Sequence, residues 1–170
     1  MALLFRQELL PLPLQSVPVC FLILTMNALP QHLIDHYEDP YHRGACDRPT
    51  HAGERIEMPC ECGTEPQAGW MAIQLQVVDE TVREAWFDGD GCVLSQSAAS
   101  LLMEYVEGKS LEDVEALTLD AIQQLLKLDE EKSASCCQLV LDATLSAAAG
   151  LLDEDGSGPT FLGLNLGEEC

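Results

Sequence analysis

Basic residues are scarce in this chain. Only 8 Lys and Arg stand against 29 Asp and Glu, for a formal net charge of -21. Such a surface repels phosphate backbones and anionic membranes, so neither nucleic acid nor membrane is an expected partner. Basic protein surfaces and cations are attracted to it instead; the acidity as a whole is read as serving solubility. The chain also lacks an apolar run long enough to cross a bilayer. Val17-Pro18-Val19-Cys20-Phe21-Leu22-Ile23-Leu24 falls short of the roughly 20 residues required, and Pro11, Pro13 and Pro18 break it. There is no internal repeat and no heptad array. A Cys-x-x-Cys pair at a helix start is missing too, which argues against a thiol–disulfide oxidoreductase built on Cys60/Cys62 or Cys136/Cys137.

What is present is cysteine. Eight cysteines in 170 residues need an explanation. Secreted disulfide frameworks are usually shorter and richer in loops, and the helical patterns here build a core without staples. The cysteines fall as a pair, a single and a pair: Cys60 and Cys62, Cys92, then Cys136 and Cys137. Neighbours such as Cys136 and Cys137 rarely bridge each other, because the geometry is strained. This pattern suits ligands better than bridges. Cys20, Cys46 and Cys170 are read as ordinary small apolar residues, and His32, His36, His42 and His51 as surface or core residues.

The length fits one domain with tails. Residues 1–28 are expected to be an extension, disordered or produced by start-site assignment, with translation beginning at Met26. The domain is expected over 29–152, and the acidic, Gly-rich 153–170 as a disordered tail. Leu29, Leu33, Ile34 and Tyr37 predict a helix over 30–38, stopped by Asp39-Pro40. Residues 41–53 read as loop. Met71, Ile73, Leu75 and Val77 alternate with polar or small residues and predict a strand; Asp79-Glu80 turns into a second over 82–87. A further strand is expected near 55–58. Helices follow from Cys92 to Gly108, over 118–127, and from about 136 to 152. The fold class is α+β: an antiparallel sheet of about three strands with helices on one face.

The cysteines are expected at favourable places. Ser135-Cys136-Cys137-Gln138 matches a capping box, which predicts Cys136 and Cys137 in the first turn of the last helix. Cys92 follows Asp88-Gly89-Asp90-Gly91 and enters another helix. Unpaired N–H groups and the helix dipole favour thiolate at such positions, and thiolate is the metal-binding form. Pro59-Cys60-Glu61-Cys62-Gly63-Thr64 supplies a third segment, where Gly63 exposes amides to sulfur.

Two stretches resemble a known family. Asp35-His36-Tyr37-Glu38-Asp39-Pro40 with Gly44 resembles the D-H-Y-x-x-P…G stretch of the NifU/IscU-type iron–sulfur scaffolds. Phe87-x-Gly89-x-Gly91-Cys92-x-x-Ser95 resembles that family's F-x-G-x-G-C-x-x-S segment, the more specific match. Gly108-Lys109 and Cys137 fall in order after them. The resemblance spans about residues 29–152. It implies a non-enzymatic scaffold that gathers iron and sulfur and passes a transient [2Fe–2S] cluster to apoproteins. It implies Cys62, Cys92 and Cys137 as ligands, one of them also accepting persulfide sulfur from a cysteine desulfurase. The cytoplasm is the expected location, and a homodimer is left open.

Departures from the family pattern bear on the site. Thr64 and Glu65 follow Cys62-Gly63 where the family has C-G-D, and Cys60 is an extra thiol. Cys136 stands where IscU-type members have His, so an all-cysteine site, which suits iron and zinc, becomes available. The fourth ligand is left among Cys136, Cys60, Glu65 or none. The L-P-P-V-K chaperone motif is lacking before Cys136. A zinc-bound protein that accepts persulfide sulfur is the alternative.

Overall fold

A computed structural model of the chain describes residues 29–60, 67–127 and 130–153, with 56–60, 67–68 and 130–133 described by backbone alone. The elements are α1 (Gln31–Glu38), β1 (His51–Cys60), β2 (Gln67–Val78), β3 (Thr81–Asp90), α2 (Val93–Val106), α3 (Leu111–Glu115), α4 (Leu119–Leu126) and α5 (Glu130–Ala149). The expectations for residues 1–28, for 154–170, and for Cys20, Cys62 and Cys170 lie outside the described residues.

The three strands form one antiparallel sheet in the order β1-β2-β3. Asp79 and Glu80 close the β2–β3 hairpin with φ of 51 and 57, the paired positive values that match the twist of a two-residue hairpin. A register shift lies between Gln76 and Val77. It places Val82, Ala85 and Phe87 all in the core, so the simple alternation expected along β3 changes phase at Arg83. β1 starts at His51 and not near residue 55 as expected. Its beginning carries Gly53 beneath a helix, which hides the alternating pattern.

One face of the sheet, bearing Met71, Ile73, Leu75, Ala85 and Phe87, joins Leu102, Met103, Val106, Ile122, Leu126, Leu139 and Val140 in a single apolar core. Each such large side chain contributes about 1.5–3 kcal/mol on full burial. α5 packs on β1 and β2, and α2 packs on β3 and α5. The opposite face carries Gln74 and Trp86, against which the 41–46 segment lies. The Cys46 N–H donates to Gln74 Oε1 at 2.8 Å, and His42 stacks on Trp86 with ring centroids 4.5 Å apart.

The contact of α5 with β1 is close because both surfaces are small. A Cβ on Gly53 would lie 2.1 Å from the Ala147 backbone nitrogen, and one on Gly150 would lie 2.1 Å from the Ala52 oxygen. Each outer edge of the sheet is paired over a short stretch. Gly44 and His42 bond to Phe87 along β3, and Gly150 and Leu152 bond to Ala52 and Thr50 along β1. Such cover protects strands that otherwise pair with other chains.

One expectation about helix boundaries is corrected. α5 begins at Glu130, not at Ser135. The helix runs without a break through residues 130–135. The capping-box match is therefore incidental. Cys136 and Cys137 lie well inside α5 and have none of the unpaired N–H groups of a first turn. The short α3, capped by Ser110 accepting from the Asp113 N–H, was not expected from the sequence.

Candidate metal centre

The site is built around the junction of β3 and α2. Asp88 and Asp90 accept hydrogen bonds from Gly89 and Gly91, each from the amide directly following, at 2.8 and 2.9 Å. These bonds fold the acidic side chains back onto the turn. A side chain at Gly89 would meet backbone, and one at Gly91 would displace the Ser95 hydroxyl. A Cβ on Gly89 would lie 2.6 Å from the Trp70 oxygen, and one on Gly91 would lie 2.5 Å from Ser95 Oγ. The strand end can thus press against β2 and the helix start.

Cys92 is the N-cap of α2, with φ -72 and ψ 167. Its sulfur accepts from the Ser95 N–H at 3.4 Å, the bond a capping side chain makes. Ser95 Oγ donates back to the Cys92 carbonyl at 2.9 Å. The expectation of a helix-start environment therefore holds for Cys92.

The second sulfur comes from α5. Cys136 Sγ lies 3.3 Å from Cys92 Sγ, although Cys136 is only 1% exposed. The two thiols titrate together. The Cys136 thiol donating to the Cys92 sulfur, aided by the Ser95 N–H, lowers Cys92 to about 6 against the opposing cost of burial. Cys136 is pushed strongly up, first by that same bond and then by burial. The two shifts run in opposite directions because the sulfurs share one hydrogen bond.

Cys137 is fully buried and belongs to the apolar core. Cys92, Cys136 and Cys137 do not form one three-residue metal-binding group, and no group of three or more His, Cys, Asp or Glu that could hold an ion occurs among the described residues. Cys60 ends β1 and is described by backbone alone. Cys62 and Glu65 lie outside the described residues. The ends of their segment are nonetheless fixed: Cys60 pairs with Gln67, and Trp70 pairs with Asp90. A Cβ on Gly69 would lie 3.7 Å from Gly91 Cα and 3.1 Å from Leu139 Cδ2. β1 thus ends and β2 begins on the side of the sheet where Cys92 starts α2, and Gly69 lies against Leu139, one helical turn along α5 from Cys136.

Cys46 and the histidines His36, His42 and His51 have structural surroundings that account for them, whereas His32 Nε2 is buried without a hydrogen-bond partner among the described residues. Cys46 is buried, and burial pushes its thiol up. His36 Nδ1 is hydrogen-bonded to Ser100 Oγ at 2.8 Å, and the Tyr41 N–H donates to the same hydroxyl. His42 is stacked between Tyr41 and Trp86, with Nδ1 2.9 Å from Glu107 Oε1. His51 is buried beside Thr50 Oγ1. The D-H-Y segment therefore works as a clip from α1 onto α2.

Sequence reasoning missed a clamp on the glycine turn. Gln96 Nε2 donates to the Gly91 carbonyl at 3.0 Å, and Gln96 Oε1 accepts from Arg43 Nη1 at 2.8 Å. Arg43 Nη2 also donates to the Gly89 carbonyl at 3.2 Å. A glutamine four residues after the cysteine, on the same helix face, was the only available signal.

Residues 29–153 match the family model described as NifU-like N terminal domain. The chain belongs to this family. The resemblance read from the sequence is borne out by relatives within it. The iron–sulfur cluster assembly scaffold protein IscU of Haemophilus influenzae is 31% identical over 131 residues, covering 76% of this chain and 99% of that protein. Its Escherichia coli K12 counterpart is 32% identical over 124 residues, covering 72% and 92%. The α+β fold agrees with the crystal structure of an N-terminal NifU-like protein from Brucella abortus. That structure gives a TM-score of 0.56 at 14% identity, covering 71% of this chain and 91% of that chain. The Cys92 turn and the Cys136 sulfur both lie within the region the family model covers.

Proposed function

We propose that the chain is a scaffold for iron–sulfur cluster assembly. It takes iron and sulfur onto cysteine thiolates and hands a [2Fe–2S] cluster to apoproteins, without turnover of its own. The observation that carries this reading is the Cys92–Cys136 sulfur pair, 3.3 Å apart at a glycine turn. Soft thiolates are the donors iron prefers, and the hydrogen bonds to the Cys92 sulfur favour its thiolate form. In this reading Cys92 and Cys136 supply two ligands. Cys62, between β1 and β2 in the chain, supplies a third; Cys137, the ligand from α5 that the resemblance implies, adjoins Cys136 and is the alternate to it, and Cys60, two residues before Cys62, is the alternate to Cys62.

A cysteine desulfurase as sulfur donor and apo iron–sulfur proteins as acceptors follow from this role, and the cytoplasm is the setting it suits. Among the described residues no helix is long and apolar enough to cross a membrane. The working unit in this reading is residues 29–152.

The experiment is anaerobic incubation of the full chain with ferrous iron, cysteine and a cysteine desulfurase, followed by addition of an apo-ferredoxin. Thiolate-to-iron absorption that moves to the ferredoxin is the expected result. A folded protein that develops no such absorption contradicts the proposal. The same thiolate pair also suits zinc. Stimulation of the desulfurase by zinc-loaded protein, without cluster transfer, is the outcome that favours a sulfur-transfer role.

A further inference from the structure

A scaffold that builds sulfide into a cluster has a redox problem. Sulfur carried on a thiol as a persulfide, –S–SH, has an outer atom that needs two electrons to become sulfide. The Cys92–Cys136 pair is placed to supply them. Cys92 is partly open to solvent, while Cys136 is 1% exposed and lies 3.3 Å behind it, sulfur to sulfur. A sulfane donor therefore meets Cys92 first, with Cys136 already in contact with the atom that becomes the inner sulfur of the persulfide.

We propose that Cys136 is the resolving thiol for a persulfide formed on Cys92, releasing the outer sulfur at the site as hydrogen sulfide. The step balances without an outside oxidant. Cys136 Sγ attacks Cys92 Sγ, and the bond from Cys92 Sγ to the outer sulfur breaks. The outer sulfur leaves with the electron pair, takes the proton from Cys136, and departs as hydrogen sulfide. The two cysteine sulfurs lose two electrons between them, and the outer sulfur gains two. The product is a Cys92–Cys136 disulfide, which a dithiol reductant returns to the starting state.

Which sulfur is attacked decides the outcome of such an exchange. Attack on the outer atom only moves the persulfide to Cys136; attack on the inner atom reduces it. The observed neighbour of Cys136 Sγ is the inner atom. Closing 3.3 Å to the roughly 2.05 Å of a disulfide is a small motion of two side chains already in contact. A histidine in place of Cys136 has no equivalent chemistry, so the step belongs to the cysteine found here.

The inference rests on the scaffold reading for its purpose, but its test is independent. Reduced, metal-free full-length protein is treated with one equivalent of glutathione persulfide. Released sulfide is trapped and measured, and the protein is mapped by mass spectrometry under non-reducing conditions. The expected result is stoichiometric sulfide and a Cys92–Cys136 linked peptide. Cys136→Ser, checked for its fold by circular dichroism, is expected to keep the added sulfur on Cys92 and to release sulfide roughly tenfold more slowly or less. Cys46→Ser is expected to behave as the unaltered chain.

Sulfide release unchanged in Cys136→Ser, or a link from Cys92 to a different cysteine, overturns the proposal. Unaltered protein given ferrous iron and inorganic sulfide bypasses the step altogether. Failure to form a cluster there counts against the scaffold reading alone.

Discussion

The sulfurs of Cys92 and Cys136, contributed by the start of one helix and the interior of another, lie 3.3 Å apart. The contact links the glycine turn after β3 to α5 and sets the charge of the site. In metal-free protein, alkylation of Cys92 by iodoacetamide is expected to follow a pH profile with a midpoint of about 6. The thiolate is held down chiefly by the bond from the Cys136 thiol. Cys136→Ala removes that donor and leaves the Ser95 N–H, so the midpoint is expected to rise by roughly one unit or more. An unchanged midpoint contradicts the assignment.

The clamp on the glycine turn makes a separate prediction. Gln96→Ala removes the bonds to the Gly91 carbonyl and to Arg43 Nη1 while Arg43 Nη2 keeps the Gly89 carbonyl, at a cost of about 1–2 kcal/mol. If the clamp positions Cys92, iron retained after reconstitution falls several-fold on top of that loss. A drop in Tm with unchanged iron affinity assigns Gln96 to structure only.

The approach of α5 to β1 is expected to tolerate no side chain at Gly53. Gly53→Ala drives a Cβ into the Ala147 backbone, which has no side-chain freedom with which to yield, and costs about 2–3 kcal/mol or more. Gly108→Ala is the comparison. Nothing lies within 4 Å of its Cβ and only its φ of +81 opposes the change, so the loss is about 1 kcal/mol. Urea denaturation of both variants measures the difference; equal losses contradict the close packing.

Tyr41 offers a test at alkaline pH. Its hydroxyl donates to Glu107 at 2.6 Å. That bond, then burial and the nearby carboxylates, pushes the phenol from 10.0 up to about 12. A raised value in the folded state means the protonated form is favoured on folding. Its stabilisation is full below 10.0 and is lost as pH rises to about 12. The stability gap between the unaltered chain and Tyr41→Phe, measured in urea, is expected to hold steady up to pH 9 and to shrink at pH 11. A gap that grows with pH contradicts the bond.

Much of the fold was legible because its signals are local. The alternation of Met71, Ile73 and Leu75, the Asp79-Glu80 turn and the helical spacing of Leu94, Ala98, Leu101 and Leu102 each report their own element. The start of β1 was not legible, because Gly53 and Ala52 carry no apolar pattern when the partner is a small-residue helix face. The start of α5 was misplaced because Ser135 and Gln138 satisfy a capping pattern without forming the cap. At the site, Cys92 stood out through the glycines around it, at which the turn packs closely. The meeting of Cys92 with Cys136 depends on how α5 crosses the sheet, a long-range relationship that no local window contains. The Arg43–Gln96 clamp was invisible for the same reason.

The most direct test of the account is iron binding by the full chain before and after Cys92→Ser. Metal-free protein is given ferrous iron and inorganic sulfide without oxygen, and bound iron and thiolate-to-iron absorption are read after desalting. The unaltered chain is expected to hold a cluster that Cys92→Ser loses while keeping its fold. A Cys92→Ser protein that binds the same iron with the same spectrum contradicts the account.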